Sequence, residues 1–333
     1  MRGRYQIALI VGLGAAIRII AVFAFAHTPF KPVDVYYVDS QAASIILKLS
    51  NPYAFAYAIH EAGRDVLAYL PAVPLYYAPF AFLGDIRYGN IVADGVIMVS
   101  LYWIGTTISV RAGSLAAGAY ALLPISIDLT SVAATNMMIG TMFLMLSLAS
   151  LLKRRFALSA LIFGLALAAN QFMLLAAPVL IYFFWKNRRA GSLLISALVA
   201  LALILPFFLM DPRVFFFDVA LFQFVRPLQP DGWLSLYSLV FSFSGVKLDL
   251  WVRLLLLLAS EAWAVYYSRK SEYHFLFAIA FALAVGSFVL PVNGFWNYFL
   301  PPCAVACSFT PAIYTRLLKS EQPVGESIQT GLQ

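Results

Sequence analysis

LPAVPLYYAPFAFLG, residues 70–84, is the stretch on which the topology turns. It is apolar enough to be taken for a membrane helix. It is also only 15 residues long and carries Pro71, Pro74 and Pro79, against the roughly 20 residues a spanning helix needs and the helix-breaking cost of internal proline. The chain around it is unmistakably membrane-embedded. Of its 333 residues 63% are hydrophobic and 11% charged, and mean hydropathy is +0.87. A soluble domain does not tolerate such values.

Apolar runs of spanning length lie near 6–26, 90–110, 112–134, 136–152, 190–210, 249–267, 273–290 and 296–315. The run 157–185 is about ten residues too long for one span and is split at Asn170–Gln171, so it reads as a tight hairpin. Cytoplasmic loops carry excess Lys and Arg. With 70–84 on the surface and 157–185 a hairpin, 13 of the 22 basic residues fall on one side, in clusters such as Lys153–Arg155, Lys186–Arg189 and Arg269–Lys270. Making 70–84 a span breaks that pattern. The expectation is an all-α polytopic protein of ten spans with outward-facing juxtamembrane helices and both termini cytoplasmic. Residues 1–319 form a single transmembrane domain and 320–333 a disordered cytoplasmic tail. The first apolar run is too long for a signal peptide and lacks a cleavage site, so it is read as a retained anchor.

Two long loops then face outward, 27–89 and 211–248, and they hold most of the acids, including Asp34, Asp39, Asp85, Asp211 and Asp218. In the first, Ala42, Ile45, Ile46 and Leu49 lie at helical spacing opposite Gln41, Ser44 and Lys48. This describes a short amphipathic helix in the interface, capped by Asp39 or Ser40 and ended by the turn Asn51-Pro52-Tyr53. Residues 214–224 read as a second interfacial element. A carboxylate at Asp34 or Asp39 can serve as a general base, or hold a divalent cation such as magnesium or manganese against a phosphate; as plain loop acids or a helix cap they need do neither.

Basic residues that could grip a phosphate on that side include Arg64 and Arg226, although each also reads as an interfacial anchor. Within the spans, Arg18, Asp94, Asp128, Arg253 and Glu261 are costly enough to demand a reason, either pairing between helices or a transport path. His27, His60 and His274 are scattered, Cys303 and Cys307 suit packing, and neither a zinc motif, a serine elbow nor a phosphate loop is present. The net charge of +7 is spent on membrane topology, and no nucleic-acid partner is expected.

In their order these segments resemble the GT-C superfamily of membrane glycosyltransferases that use dolichyl or polyprenyl phosphate sugars, as found in archaea and bacteria. The resemblance rests on DVYYVDS at 34–40, LSNPY at 49–53, YLPAVPLYYAPF at 69–80 and GDIRYGN at 84–90. It continues through SVAATN at 131–136, NQ at 170–171 and NGFWNYFLPP at 293–302. It implies transfer of a hexose, with mannose-bearing lipids as the expected donors, to a lipid, glycan or protein acceptor, with inversion and with membrane lipids as surroundings. Asp34 is implied as the base, with Asp39 as its rival. Substrate contacts are implied at Tyr37, Arg64, Tyr69, Asn136, Asn170, Gln171, Arg226, Asn293 and Tyr298. Two departures stand out: relatives often carry an acid where this chain has Asn136, and some carry a lysine where it has Leu70–Pro71. A transporter or flippase, and a non-catalytic subunit of the same fold, are the competing readings.

Overall fold

The computed structural model describes residues 2–25, 33–57, 66–225, 228 and 232–310. These are mostly helical, with no strand among them and an isolated bridge between Trp233 and Gly294. In chain order the helices are α1 (Arg2–Phe25), α2 (Asp34–Leu47), α3 (Ala72–Phe82), α4 (Arg87–Gly105), α5 (Val110–Ala121), α6 (Pro124–Ser131), α7 (Met137–Leu152) and α8 (Phe156–Ala169). After a 3-10 turn, Gln171–Ala176, come α9 (Ala177–Lys186), α10 (Ser192–Met210), α11 (Pro212–Phe216), α12 (Phe222–Val225), α13 (Leu236–Ser244), α14 (Leu250–Ser268), α15 (Glu272–Val289) and α16 (Leu300–Cys307).

One end of the bundle gathers the basic turns. Arg154 pairs with Glu272 at 2.6 Å and donates to Asn187, Lys186 donates to the carbonyl of Arg269, and Lys153 lies over the Trp103 ring. We call this the basic end. The opposite, loop end holds α2, α3 and the hairpin tip. Gln171 bonds the carbonyl of Ala68 just before α3, and Tyr36 bonds Asp85 just after it, so α3 leaves and returns at one end. The proline-rich stretch forms an 11-residue helix, short as its length and prolines predict, that starts and ends at the loop end.

α7 is the centre of the bundle: between Met137 and Leu152 only Phe143 and Leu146 are partly exposed. α10 is its opposite, with Ser196 alone buried. Ser196 donates to the carbonyl of Ala160, and a Cβ on Gly164 would stand 2.6 Å from the Ser196 carbonyl oxygen, so glycine lets α8 and α10 meet backbone to backbone.

Among the described residues four helices are long and apolar enough to cross a membrane: Tyr5–Phe25, Ser192–Met210, Leu250–Ser268 and Glu272–Val289. The bent pair α5 and α6 makes a fifth. This is fewer than ten by length and composition. α7, at 16 residues, reaches only about 24 Å at 1.5 Å per residue, against a hydrocarbon core of roughly 30 Å. α8 and the segment Gln171–Lys186 are also short.

The single span expected over 112–134 is broken, with α5 and α6 meeting at 56°. Pro124 causes the break, since it has no N–H to offer the Tyr120 carbonyl. Ser126 Oγ donates to that carbonyl at 3.1 Å, and Arg18 from α1 donates to the Ala121 carbonyl at 2.5 Å and to Ser126 Oγ at 2.7 Å. Arg18 also pairs with Asp94 of α4 at 2.6 Å, both side chains fully enclosed. The pair is thus a strut that supplies the donors a broken helix loses.

The amphipathic helix also differs from expectation. It begins at Asp34, six residues earlier than a cap at Asp39 implies, and Asp39 sits within it on the buried face with Val38, Ala42 and Ala43. Leu49 lies beyond its end at positive φ and is 97% exposed, so it is not part of that face. The turn is as read: the Asn51 side chain accepts from Tyr53 N at 3.1 Å, starting a 3-10 turn at Pro52–Ala54.

Candidate functional site

The loop end brings several of the singled-out segments together. Val33 N, at the start of α2, donates to the Ala133 carbonyl at 3.1 Å, docking the Asp34 turn on the Ser131–Asn136 segment. Asp34 is half-buried at the first turn of α2 and its Oδ1 accepts from Val35 N at 2.9 Å. One and a half turns on, Asp39 has no exposed surface. Burial pushes its carboxyl well above the usual range, the Asn136 amide works against this, and the charge of Asp34 adds to it. Neither Asp39 oxygen has a donor aligned well enough for a full hydrogen bond.

Asn136 is itself buried, ahead of α7, and its Nδ2 lacks an acceptor. One turn into α7, a Cβ on Gly140 would stand 3.0 Å from Asn170 Cβ. The glycine therefore lets the hairpin tip press against α7. Asn170 caps the 3-10 turn by accepting from Phe172 N at 2.9 Å, and its Nδ2 reaches Met137 Sδ at 3.5 Å. Phe172 then stacks on Tyr298 at 4.5 Å between centroids. Gln171 reaches Ala68, and the Tyr69 carbonyl accepts from Tyr53 OH at 2.7 Å.

Contacts thus link Asp34, Asp39, Asn136, Asn170, Gln171, Tyr69 and Tyr298 into one assembly. Asn293 is buried elsewhere at this end, against Gly232 beside the Trp233–Gly294 bridge. Tyr37 is 40% exposed and meets Tyr36 edge to face. Arg64, Arg226 and the tail 320–333 lie outside the described residues.

Two features were not read from the sequence as parts of this site. The first is a tyrosine floor: Tyr53 and Tyr57 are fully buried, and burial raises the pKa of both hydroxyls. The charges of Asp39 and Asp218 each raise them further, so the tyrosines lie between an acid of the first loop and one of the second. Asp218 sits in a one-turn π-helix, Phe217–Leu221, a distortion frequent at functional positions. The second is a clasp: Asp85 accepts from Tyr36 OH at 3.2 Å and pairs with Arg87 at 2.6 Å, which fastens α2 to the start of α4. Spacing along the chain signals neither arrangement, because each joins residues from different elements.

Among the described residues there is no group of three His, Cys, Asp or Glu side chains placed to hold a metal ion. Asp34 and Asp39 do not make one, since Asp39 is enclosed. Neither protein-family models nor the curated proteins give a match to this chain.

Proposed function

We propose that this chain is a GT-C-like glycosyltransferase that moves a hexose, most simply mannose, from a polyprenyl or dolichyl phosphate to a lipid, glycan or protein acceptor. The observation that carries the reading is the docking of the Asp34 turn onto the Ser131–Asn136 segment, with the hairpin tip pressed against the same place. These are the segments the resemblance names, and they are far apart in sequence.

In this reading the basic end is cytoplasmic and the loop end faces the other side of the cell membrane. The short legs α7, α8 and Gln171–Lys186, together with α4 and α16, count as further crossings, giving ten. Asp34 is the base because it is the member of the pair with open surface. It takes the proton of the acceptor hydroxyl, whose oxygen attacks the anomeric carbon with inversion, and the lipid phosphate leaves with the bonding electrons. Asp39, enclosed with Asn136, is a positioning residue for α2. Arg64 and Arg226 remain phosphate candidates by sequence. Arg253 joins them, since it lies at the loop end of α14, holds the Leu290 carbonyl and keeps its Nε without a partner.

The test is transfer of radiolabelled mannose or glucose from synthetic dolichyl phosphate sugars into membranes holding the wild type, Asp34→Asn or Asp39→Asn. The expected result is loss of roughly 100-fold or more in Asp34→Asn, the scale of a general base, with Asp39→Asn retaining activity. Full activity in Asp34→Asn removes its assigned role. No incorporation from any donor by intact wild type favours the second reading, a non-catalytic lipid-binding subunit, for which the enclosed Asp39 speaks.

A further inference from the structure

A cavity of about 700 Å³ opens between the hairpin tip, α10, the π-turn and α14. Its wall is apolar, built from residues such as Leu174, Ile204, Val219 and Leu257, with two exceptions, Gln171 and Glu261. Glu261 is 8% exposed, and neither carboxylate oxygen has a hydrogen-bond partner. It lies eleven residues, about 16 Å, into α14 from Leu250, so this carboxyl is held at membrane depth. Gln171 gives its amide N–H to Ala68, leaving its buried Oε1 unpartnered as well.

With Glu261 ionised, the polar groups in the wall that lack partners are all acceptors. A hydrocarbon chain alone would leave them dry, which costs free energy for each oxygen. A phosphate or carboxylate head would be repelled by Glu261 and would bring more acceptors. A head that donates hydrogen bonds satisfies them, and a volume in the range of ordinary ligand sites has room for an apolar body behind it.

We propose that this cavity is a binding site for an amphiphile with an apolar body and a hydrogen-bond-donating head, a long-chain alcohol or a long-chain amine, held by Glu261. The carboxyl accepts from a hydroxyl in the first case and pairs with an ammonium in the second. Such a site does not depend on sugar transfer, and its test reads occupancy alone.

The experiment uses the full chain in phosphatidylcholine nanodiscs with three diazirine probes: octadecanol, octadecylamine and octadecanoic acid analogues. Saturable crosslinking of the alcohol or the amine to peptides containing 167–178 or 257–261 is expected, with the acid weaker by about tenfold or more. Glu261→Leu should lower labelling by the preferred probe by about tenfold. Glu261→Gln separates the sources, because an amide still accepts from an alcohol but loses the ion pair with an amine. Ala200→Phe fills the cavity while keeping the carboxyl, and should reduce labelling even if Glu261→Leu does not fold. The proposal is overturned if no probe labels saturably, if the acid labels as well as the donors, or if labelling is unchanged in Ala200→Phe or in a folded Glu261→Leu.

Discussion

Replacing Asp39 by Asn exchanges one buried oxygen for an amide nitrogen, and the structure fixes how stability should respond to pH. In the unfolded chain the carboxyl titrates near its ordinary value of about 3.9. In the folded protein, burial raises it well above that, eased in part by Asn136 and added to by Asp34. The folded state therefore holds the proton more tightly. Below the ordinary value both states are protonated and the stabilising proton uptake is fully present. As pH rises through the window between the unfolded and folded values the unfolded state ionises first, and stability falls by about 1.4 kcal/mol per pH unit. Above the folded value the loss is complete. The substituted amide does not titrate, and it can pair with the Asn136 carbonyl oxygen. Asp39→Asn is thus expected to match the wild type within roughly 1 kcal/mol near pH 4, a neutral polar group replacing another, and to be more stable at pH 8. Thermal unfolding of the full chain in one detergent, followed by tryptophan fluorescence from pH 4 to 9, measures the difference. A variant less stable than the wild type at pH 8, or a difference that does not grow with pH, refutes the reasoning.

Arg18→Leu leaves Asp94 buried without its cation and the Ala121 carbonyl without its donor, so a loss of about 3–5 kcal/mol is expected. Arg18→Leu with Asp94→Leu should recover much of it, and thermal melts of the two variants decide the matter: equal melting temperatures would show that the charges do not act as a pair. Gly294→Ala drives a Cβ into the Leu234 carbonyl oxygen, which is backbone and cannot step aside. The Trp233 bridge should open at a cost of about 1–3 kcal/mol, read as a lower melting temperature and faster proteolysis within 228–235.

The helix ends were largely legible because apolar length and basic punctuation are properties of consecutive residues. α10, α14 and α15 fall within two residues of the apolar runs that predicted them. That 70–84 makes only a short helix was legible for the same reason, from its length and prolines. What escaped is what depends on residues distant in sequence. Pro124 lies inside a run apolar enough to pass for one span, and only the structure shows the break there and places Arg18 across it. Asp39 read as a helix cap because acids favour that position, whereas docking of Val33 on Ala133 and packing against α3 go with an α2 that starts back at Asp34 and encloses Asp39 instead. Asp218 was visible as an acid of the second loop, but its approach to Tyr53 and Tyr57 depends on the π-turn, which no periodicity encodes.

The Arg18 strut also sets an order of events during synthesis. α1 is made before α4, α5 and α6, and its one deep cation waits for Asp94 on α4, then for the Ala121 carbonyl and Ser126 at the α5–α6 break. Until those later helices have emerged, α1 carries an uncompensated guanidinium, worth roughly 2.5–3.5 kcal/mol against stable insertion. Nascent α1 is therefore provisional, and it becomes a settled membrane segment only when α4, α5 and α6 arrive to claim its charge. A chain truncated before Asp94 carries that unpaired arginine permanently, the kind of flaw by which a cell's quality control tells an orphan fragment from a finished protein.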